Sequence, residues 1–156
     1  LCRLYSEVYG LPTVALRLFT VFGLRQRPDM AFQRFLSALL SGSEISIYGD
    51  GMQTRDFTYV SDVVRAFRLA GERLAAGAVG GQVFNVAGGA RVSMQEVLAL
   101  LREITGRQPD VRYHPAQAGD VRDTWANTSS AQQALNFSAQ VPLWKGLAYQ
   151  WAAVRA

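Results

Sequence analysis

Tyr48-Gly49-Asp50-Gly51-Met52-Gln53-Thr54-Arg55-Asp56-Phe57-Thr58-Tyr59-Val60-Ser61-Asp62 is the stretch on which the fold of this chain turns. Gly49, Asp50 and Gly51 are turn residues: glycine reaches left-handed backbone angles without strain, and aspartate bonds its own backbone locally. Asp56 to Val60 is rich in aromatic and β-branched residues and is expected to be extended. Ser61 or Asp62 is positioned to N-cap a helix whose apolar face runs through Val63, Ala66, Phe67 and Ala70. A glycine turn thus presents Arg55, then an aromatic strand, then a helix. Taken alone, this fits a hairpin with a solvated arginine equally well.

Working outward toward the N-terminus, Ile45 to Tyr48 alternates as a short strand. Met30 to Leu40 carries Phe32, Phe35, Leu36, Leu39 and Leu40 at helical spacing, behind a loop from Gly23 to Asp29 rich in Gly, Arg and Pro. Thr13 to Phe19 reads as a buried strand, being β-branched and mostly apolar. Leu1, Leu4, Tyr5 and Val8 share one helical face that Gly10 ends. The chain opens on Leu1 inside that helix, which suggests a piece of a longer protein.

Toward the C-terminus, glycines between Gly77 and Gly81 precede a strand over Gln82 to Val86. Ser93-Met94-Gln95-Glu96 is a capping box, opening an apolar helix that ends near Gly106. Val111 to His114 is a strand closed by Pro115, and helices are expected over Ser130 to Leu135 and Leu143 to Ala153. Strands and helices interleave, so the class is α/β, with residues 1–156 forming one unit.

Composition narrows the chemistry. With 49% hydrophobic and 18% charged residues the chain has the makeup of a folded domain rather than a disordered one. It has no apolar run long enough for a membrane span, and a soluble, cytoplasmic protein is expected. The net charge of +4 is dispersed, and no basic helix or aromatic platform suggests nucleic acid. A metal site would have to be built around one cysteine, Cys2, and one histidine, His114, so none is expected. Cys2 reads as a packing residue of the first helix, and His114 as a structural residue at a strand end. There is no Gly-x-Gly-x-x-Gly cradle, no P-loop and no Gly-x-Ser-x-Gly elbow.

Set beside its neighbours, the segment from Tyr48 to Asp62 resembles the G-D-G-x-Q-x-R-D-F-x-Y-V-x-D signature of extended short-chain dehydrogenase/reductases acting on sugar nucleotides. Four other segments resemble the same family in the same order. Leu16 to Gly23 looks like its L-R-x-F-N/T-V-Y-G, and Phe84 to Gly89 is similar to its F-N-V/I-G-x-G. Gly119-Asp120-Val121 with Thr124-Trp125-Ala126 resembles G-D-V-x-x-T-x-A-D, and Pro142 to Trp151 resembles the closing P-L-x-x-G-L-x-x-x-W. The likeness spans nearly the whole chain and is nearest to the UDP-glucuronate and UDP-glucose 4-epimerases among NAD-dependent epimerases and dehydratases.

That resemblance implies a Rossmann-type α/β fold of which this chain is the C-terminal, substrate-binding part. The dinucleotide-binding half and its Tyr-x-x-x-Lys pair would then lie upstream of Leu1, leaving no catalytic residue here, since Tyr5 and Tyr9 lack a lysine four positions on. By the same resemblance Phe19 contacts the nicotinamide end of NAD, and Thr20 is a polar substrate contact. Ser46 and Tyr48 line the nucleobase pocket, and Arg55 clamps the diphosphate. Thr20 and the run Arg27 to Ala31 resemble the glucuronate branch, with Thr20 and Arg27 placed to bind the sugar carboxylate. Leu24 replaces a proline, Gln117 a second phosphate-binding arginine, and Asn127 an aspartate, so diphosphate affinity is expected to rest on Arg55. The implied parent is a UDP-sugar 4-epimerase, homodimeric; alternatives are a 4,6-dehydratase, a reductase or a non-catalytic nucleotide-sugar-binding fragment.

Overall fold

In the computed structural model, which describes residues 1–156, the chain begins with α1 (Cys2–Tyr9), β1 (Ala15–Leu18), β2 (Val21–Phe22), α2 (Ala31–Ser41) and β3 (Ile45–Tyr48). It continues through β4 (Thr54–Asp56), β5 (Thr58–Tyr59), α3 (Val60–Ala75), β6 (Val83–Val86) and β7 (Arg91–Ser93). It closes with α4 (Met94–Thr105), β8 (Val111–His114), α5 (Ser129–Leu135) and α6 (Leu143–Val154). The sequence-based elements recur with shifts of one or two residues at most ends. The exceptions are the two-residue β2 and the three-residue β7, too short to show a period, and the extended stretch expected over Asp56 to Val60, which is divided between β4, β5 and the start of α3.

Three strand pairs are parallel: β1 with β6, β2 with β5, and β3 with β8; β4 and β7 run antiparallel. A parallel pair needs a crossover, and between β1 and β6 the route includes α3. Apolar periodicity then divides the interior in two. Phe22, Phe32, Leu36, Leu101, Leu147 and Trp151 belong to one core, gathering β2, α2, α4 and α6. Ala66, Ala70, Phe84, Val86, Ala131 and Leu135 belong to the other, joining α3, β6 and α5. In the first core, the Phe22 and Phe32 rings meet edge to face at 5.2 Å. A Cβ on Gly146 would lie 2.6 Å from the Phe22 ring, so α6 approaches as closely as it does because that position lacks a side chain.

Several expectations are corrected. The strand expected to be buried over Thr13 to Phe19 is not: Ala15 and Leu16 of β1 are half-buried, and Arg17 and Leu18 are exposed. Neither Ser61 nor Asp62 caps α3; its N-cap is Tyr59, with no side-chain cap bond. The helix starts at Val60, which brings Asp62 inside the first turn. Its carboxylate is buried there and accepts the backbone N–H groups of Gln140 and Val141, both at 2.9 Å. Arg65, one turn along, pairs with it at 2.9 Å. Asp62 thus joins α3 to the segment leading into α6 instead of capping its own helix. Cys2 is exposed rather than packed, because α1 buries none of its residues within this chain.

The capping box forms as expected. Glu96 N–H donates to Ser93 Oγ at 3.2 Å, and Ser93 N–H donates to Glu96 Oε2 at 2.7 Å. These bonds from the Ser93 backbone and hydroxyl hold the Glu96 carboxyl below the ordinary glutamate range. A depressed native pKa means its stabilisation is present above the unfolded value and is lost as pH falls through the native one. Ser93→Ala should therefore cost about 1 kcal/mol near neutral pH and less in acid, as chemical denaturation at several pH values would show. An unchanged denaturation midpoint would mean the box does not stabilise α4.

Candidate functional site

Side chains alternate across a strand, so on β4 Arg55 and Asp56 must face opposite ways. Asp56 goes inward and is fully buried. Its carboxylate accepts Gly89 N–H at 3.0 Å and Ala126 N–H at 3.4 Å. Burial raises its pKa, although these backbone donors pull the other way. The polypeptide lies so close here that a Cβ on Gly88 would fall 2.0 Å from the Phe57 carbonyl oxygen.

Arg55 goes the other way, and only 18% of its side chain is exposed. Nη1 donates to the carbonyls of Thr54 and Arg122, at 2.9 and 3.1 Å, and Nη2 donates to Asp120 Oδ1 at 2.5 Å. Asp120 belongs to the segment between β8 and α5, which lies along β4. Thr54 N–H donates to Arg122 O at 2.9 Å, and Thr124 N–H to Thr54 O at 3.1 Å. Thr54 Oγ1 donates to Asp123, which holds that carboxyl below the ordinary aspartate range. Arg122 reaches Asp50 in the glycine turn at 3.4 Å. The Gly-Asp-Gly turn, β4 and this strap therefore form one unit around Arg55.

Beside the unit is a cavity of about 320 Å³ whose lining includes Arg34, Ser46, Tyr48, Gln53, Gln117 and Asp120. The Tyr48 ring lies 5.3 Å from that of His114, its partner across the β3–β8 pair. Gln53 Nε2 donates to the Tyr48 carbonyl at 2.8 Å, while its Oε1 is buried without a donor. The cavity has a flat aromatic wall and, at Asp120, the partner of the anchored Arg55, which itself stands outside the lining. That combination suits a ligand that is planar at one end and anionic at the other.

A second cavity of about 320 Å³ opens under the loop after β2, lined among others by Gly23, Arg25, Arg27 and Met30. Gln26 fastens this loop. Its Nε2 donates to Val21 O at 3.2 Å, and its Oε1 accepts from the buried Gln150 of α6 at 3.0 Å. Arg27 pairs with Asp29 at 3.0 Å, both well exposed, an arrangement worth roughly 0–1 kcal/mol and easily exchanged. Asp29 itself lines the first cavity, so one loop borders both.

The residues named from sequence are thus partly gathered. Ser46 and Tyr48 share a cavity with the partner of Arg55. Arg27 lies in the other cavity, and its side-chain partners are Asp29 and Met30 rather than Thr20. Phe19 and Thr20 follow β1, both half-buried. Phe19 N–H donates to Val86 O at 3.0 Å, and the Thr20 carbonyl accepts Thr58 N–H at 3.0 Å. Phe19 is the one candidate contact for a dinucleotide, at the C-terminal end of a parallel strand, where such ligands bind in α/β sheets.

Three polar lining residues, Arg34, Gln53 and Asp120, were not marked by the sequence. Gln53 and Asp120 lie inside quoted motifs but were passed over, whereas Arg34 lies mid-helix with nothing in its surroundings to mark it. A groove of about 730 Å³ along α4 and the start of α6 holds none of the candidate site residues. No group of three His, Cys, Asp or Glu side chains is close enough to hold a metal ion, and no helix is long and apolar enough to cross a membrane.

Residues 1–87 match the profile of the NAD dependent epimerase/dehydratase family. Over 147 residues the chain is 40% identical to a Bacillus subtilis protein named an uncharacterized UDP-glucose epimerase, YtcB, covering 94% of this chain and 46% of that protein. It is 33% identical over 141 residues to the dTDP-glucose 4,6-dehydratase of Streptomyces griseus, covering 90% and 42%. The fold superposes with TM-score 0.92 on the UDP-glucuronic acid 4-epimerase of Bacillus cereus, solved with UDP-glucuronic acid and NAD, at 36% identity over 99% of this chain and 48% of that one. The chain spans about half the length of the relatives it matches.

Proposed function

The chain belongs to the NAD dependent epimerase/dehydratase family, and on that premise we propose that it is the substrate-binding part of a UDP-sugar 4-epimerase, with UDP-glucuronate favoured over UDP-glucose. The observation that carries this is an anchored guanidinium joined through Asp120 to an aromatic-walled cavity. Arg55 is the cation for a diphosphate, and Tyr48 and Ser46 are the wall for a base. A guanidinium fork meets two phosphate oxygens at once, which an ammonium cannot do.

When bound, NAD supplies reversible hydride acceptance for the sugar carbon that is inverted. Residues of this chain orient the reactants: Phe19 borders the nicotinamide end, Arg55 and Tyr48 fix the nucleotide, and Thr20 meets the sugar. The base and most dinucleotide contacts come from the rest of the protein. The protein is cytoplasmic and works as a homodimer, to which the exposed face of α1, with Leu4, Tyr5, Val8 and Tyr9, contributes apolar surface. It binds neither nucleic acid nor membrane.

The full-length protein should interconvert UDP-glucuronate and its C4 epimer, and the 156-residue chain alone should be silent. A coupled assay of both forms checks this; a 4-keto-6-deoxy product would point to the dehydratase reaction instead. In the full-length protein Arg55→Ala should weaken UDP binding by roughly 1.5–3 kcal/mol, with Arg55→Lys recovering part. Calorimetry showing equal UDP affinity would return Arg55 to a purely structural part.

The sugar preference rests on Arg27. Its bond to Asp29 is weak enough for a substrate carboxylate to replace it, with the Thr20 hydroxyl as second donor. Arg27→Ala should lower kcat/KM for UDP-glucuronate by about ten- to a hundredfold and for UDP-glucose much less. Equal losses on the two substrates, measured side by side, would remove Arg27 from the choice of sugar.

A further inference from the structure

Charge around the first cavity does not balance. Two carboxylates line it, Asp29 and Asp120, and each already has a guanidinium: Arg27 at 3.0 Å and Arg55 at 2.5 Å. The lining itself holds one cation, Arg34, on the same side of α2 as Ala31 and Phe35. Phe35 is buried and fixes that face of the helix, whereas Arg34 is exposed and takes part in no side-chain hydrogen bond or ion pair. Gln117, which shares the lining, is a neutral amide. Neither carboxylate is paired with Arg34, whose guanidinium therefore faces the cavity with no partner in this chain.

We propose that Arg34 is a second anion contact of this site and binds a phosphate of the nucleotide-sugar diphosphate, together with Arg55. The assignment rests on the nucleotide-sugar function proposed above. A diphosphate offers at least two negative charges, and Arg55 must share its fork between that ligand and Asp120. A guanidinium with no competing carboxylate keeps its full field for the ligand, and charge-assisted contacts of this kind are about twice as strong as neutral ones. Arg34 thereby fills the part that Gln117 cannot, replacing the expectation that Arg55 acts alone. Tyr48 is left to the uncharged nucleoside end.

The test is calorimetry on the full-length protein with UDP and with uridine, for wild type, Arg34→Gln and Arg34→Lys. Glutamine is a good helix former at this exposed position, and circular dichroism verifies that each variant is folded. Arg34→Gln should weaken UDP about tenfold, or about 1.4 kcal/mol, leave uridine unchanged and flatten the salt dependence of UDP binding. Arg34→Lys should fall between the two, keeping the charge without the fork. UDP affinity unaffected by Arg34→Gln, or a loss for uridine as large as that for UDP, overturns the assignment. A wild-type protein that fails to bind UDP overturns the nucleotide-sugar function itself, which separates the two failures.

Discussion

The Asp56 carboxylate is the constraint from which the site is built. An ionised group with no exposure is costly unless its lone pairs are met, and here backbone N–H groups from two separate segments meet them. Gly89 belongs to the turn after β6, and Ala126 to the segment before α5. One side chain thus ties together the strand that carries Arg55, the end of a parallel pair, and the strap that carries Asp120. Leaving a buried donor unmet costs about 1–3 kcal/mol, so these segments cannot drift apart cheaply. Gly88 makes the approach possible, since any Cβ there would collide with the Phe57 carbonyl.

Asp62 repeats the device one helix turn after β5. Buried, it accepts two N–H groups from the segment entering α6 and pairs with Arg65, whose guanidinium also donates to Ser138 O and lies over the Phe137 ring at 5.1 Å. The two aspartates stand in one short stretch and fasten different parts of the later chain to it. This accounts for acidic residues in a run that is otherwise aromatic and β-branched. The strap, by contrast, is held to the turn through exposed groups, Arg122 with Asp50 and Thr54 with Asp123. Such pairs are individually weak, and the strap is firmest where Arg55 grips its backbone and Asp120 together.

Apolar surface is distributed unevenly. Both cores are closed by helices, yet α1 buries nothing, and on α3 Val64 and Phe67 are exposed while Ala66 and Ala70 are buried, so Phe67, expected on the apolar face, lies outside the core. Leu18 of β1 and Val83 of β6 are exposed as well. Isolated exposed apolar residues are ordinary, but several on neighbouring elements match a chain spanning about half the length of its relatives. The cavity beside Arg55 lies instead between α2, β3 and the strap, all within this chain.

What the sequence determined by itself was local. Apolar period and glycine stops placed the helices, the Ser93–Glu96 spacing placed a capping box, and the run from Tyr48 to Asp62 marked Arg55 and the family. Each of those signals lies within a few residues and survives in one dimension. Tertiary structure decided the pairings. Asp120 is 65 positions from Arg55, and Gln140 is 78 from Asp62, distances at which no sequence period carries information. Asp62 looked like a cap because helix starts favour aspartate, and it is an anchor because α3 begins at Val60 and the Gln140 and Val141 N–H groups meet its carboxylate. Arg34 could not be singled out from sequence, because a guanidinium is left over only after every nearby carboxylate has found its partner, and that count exists only in three dimensions.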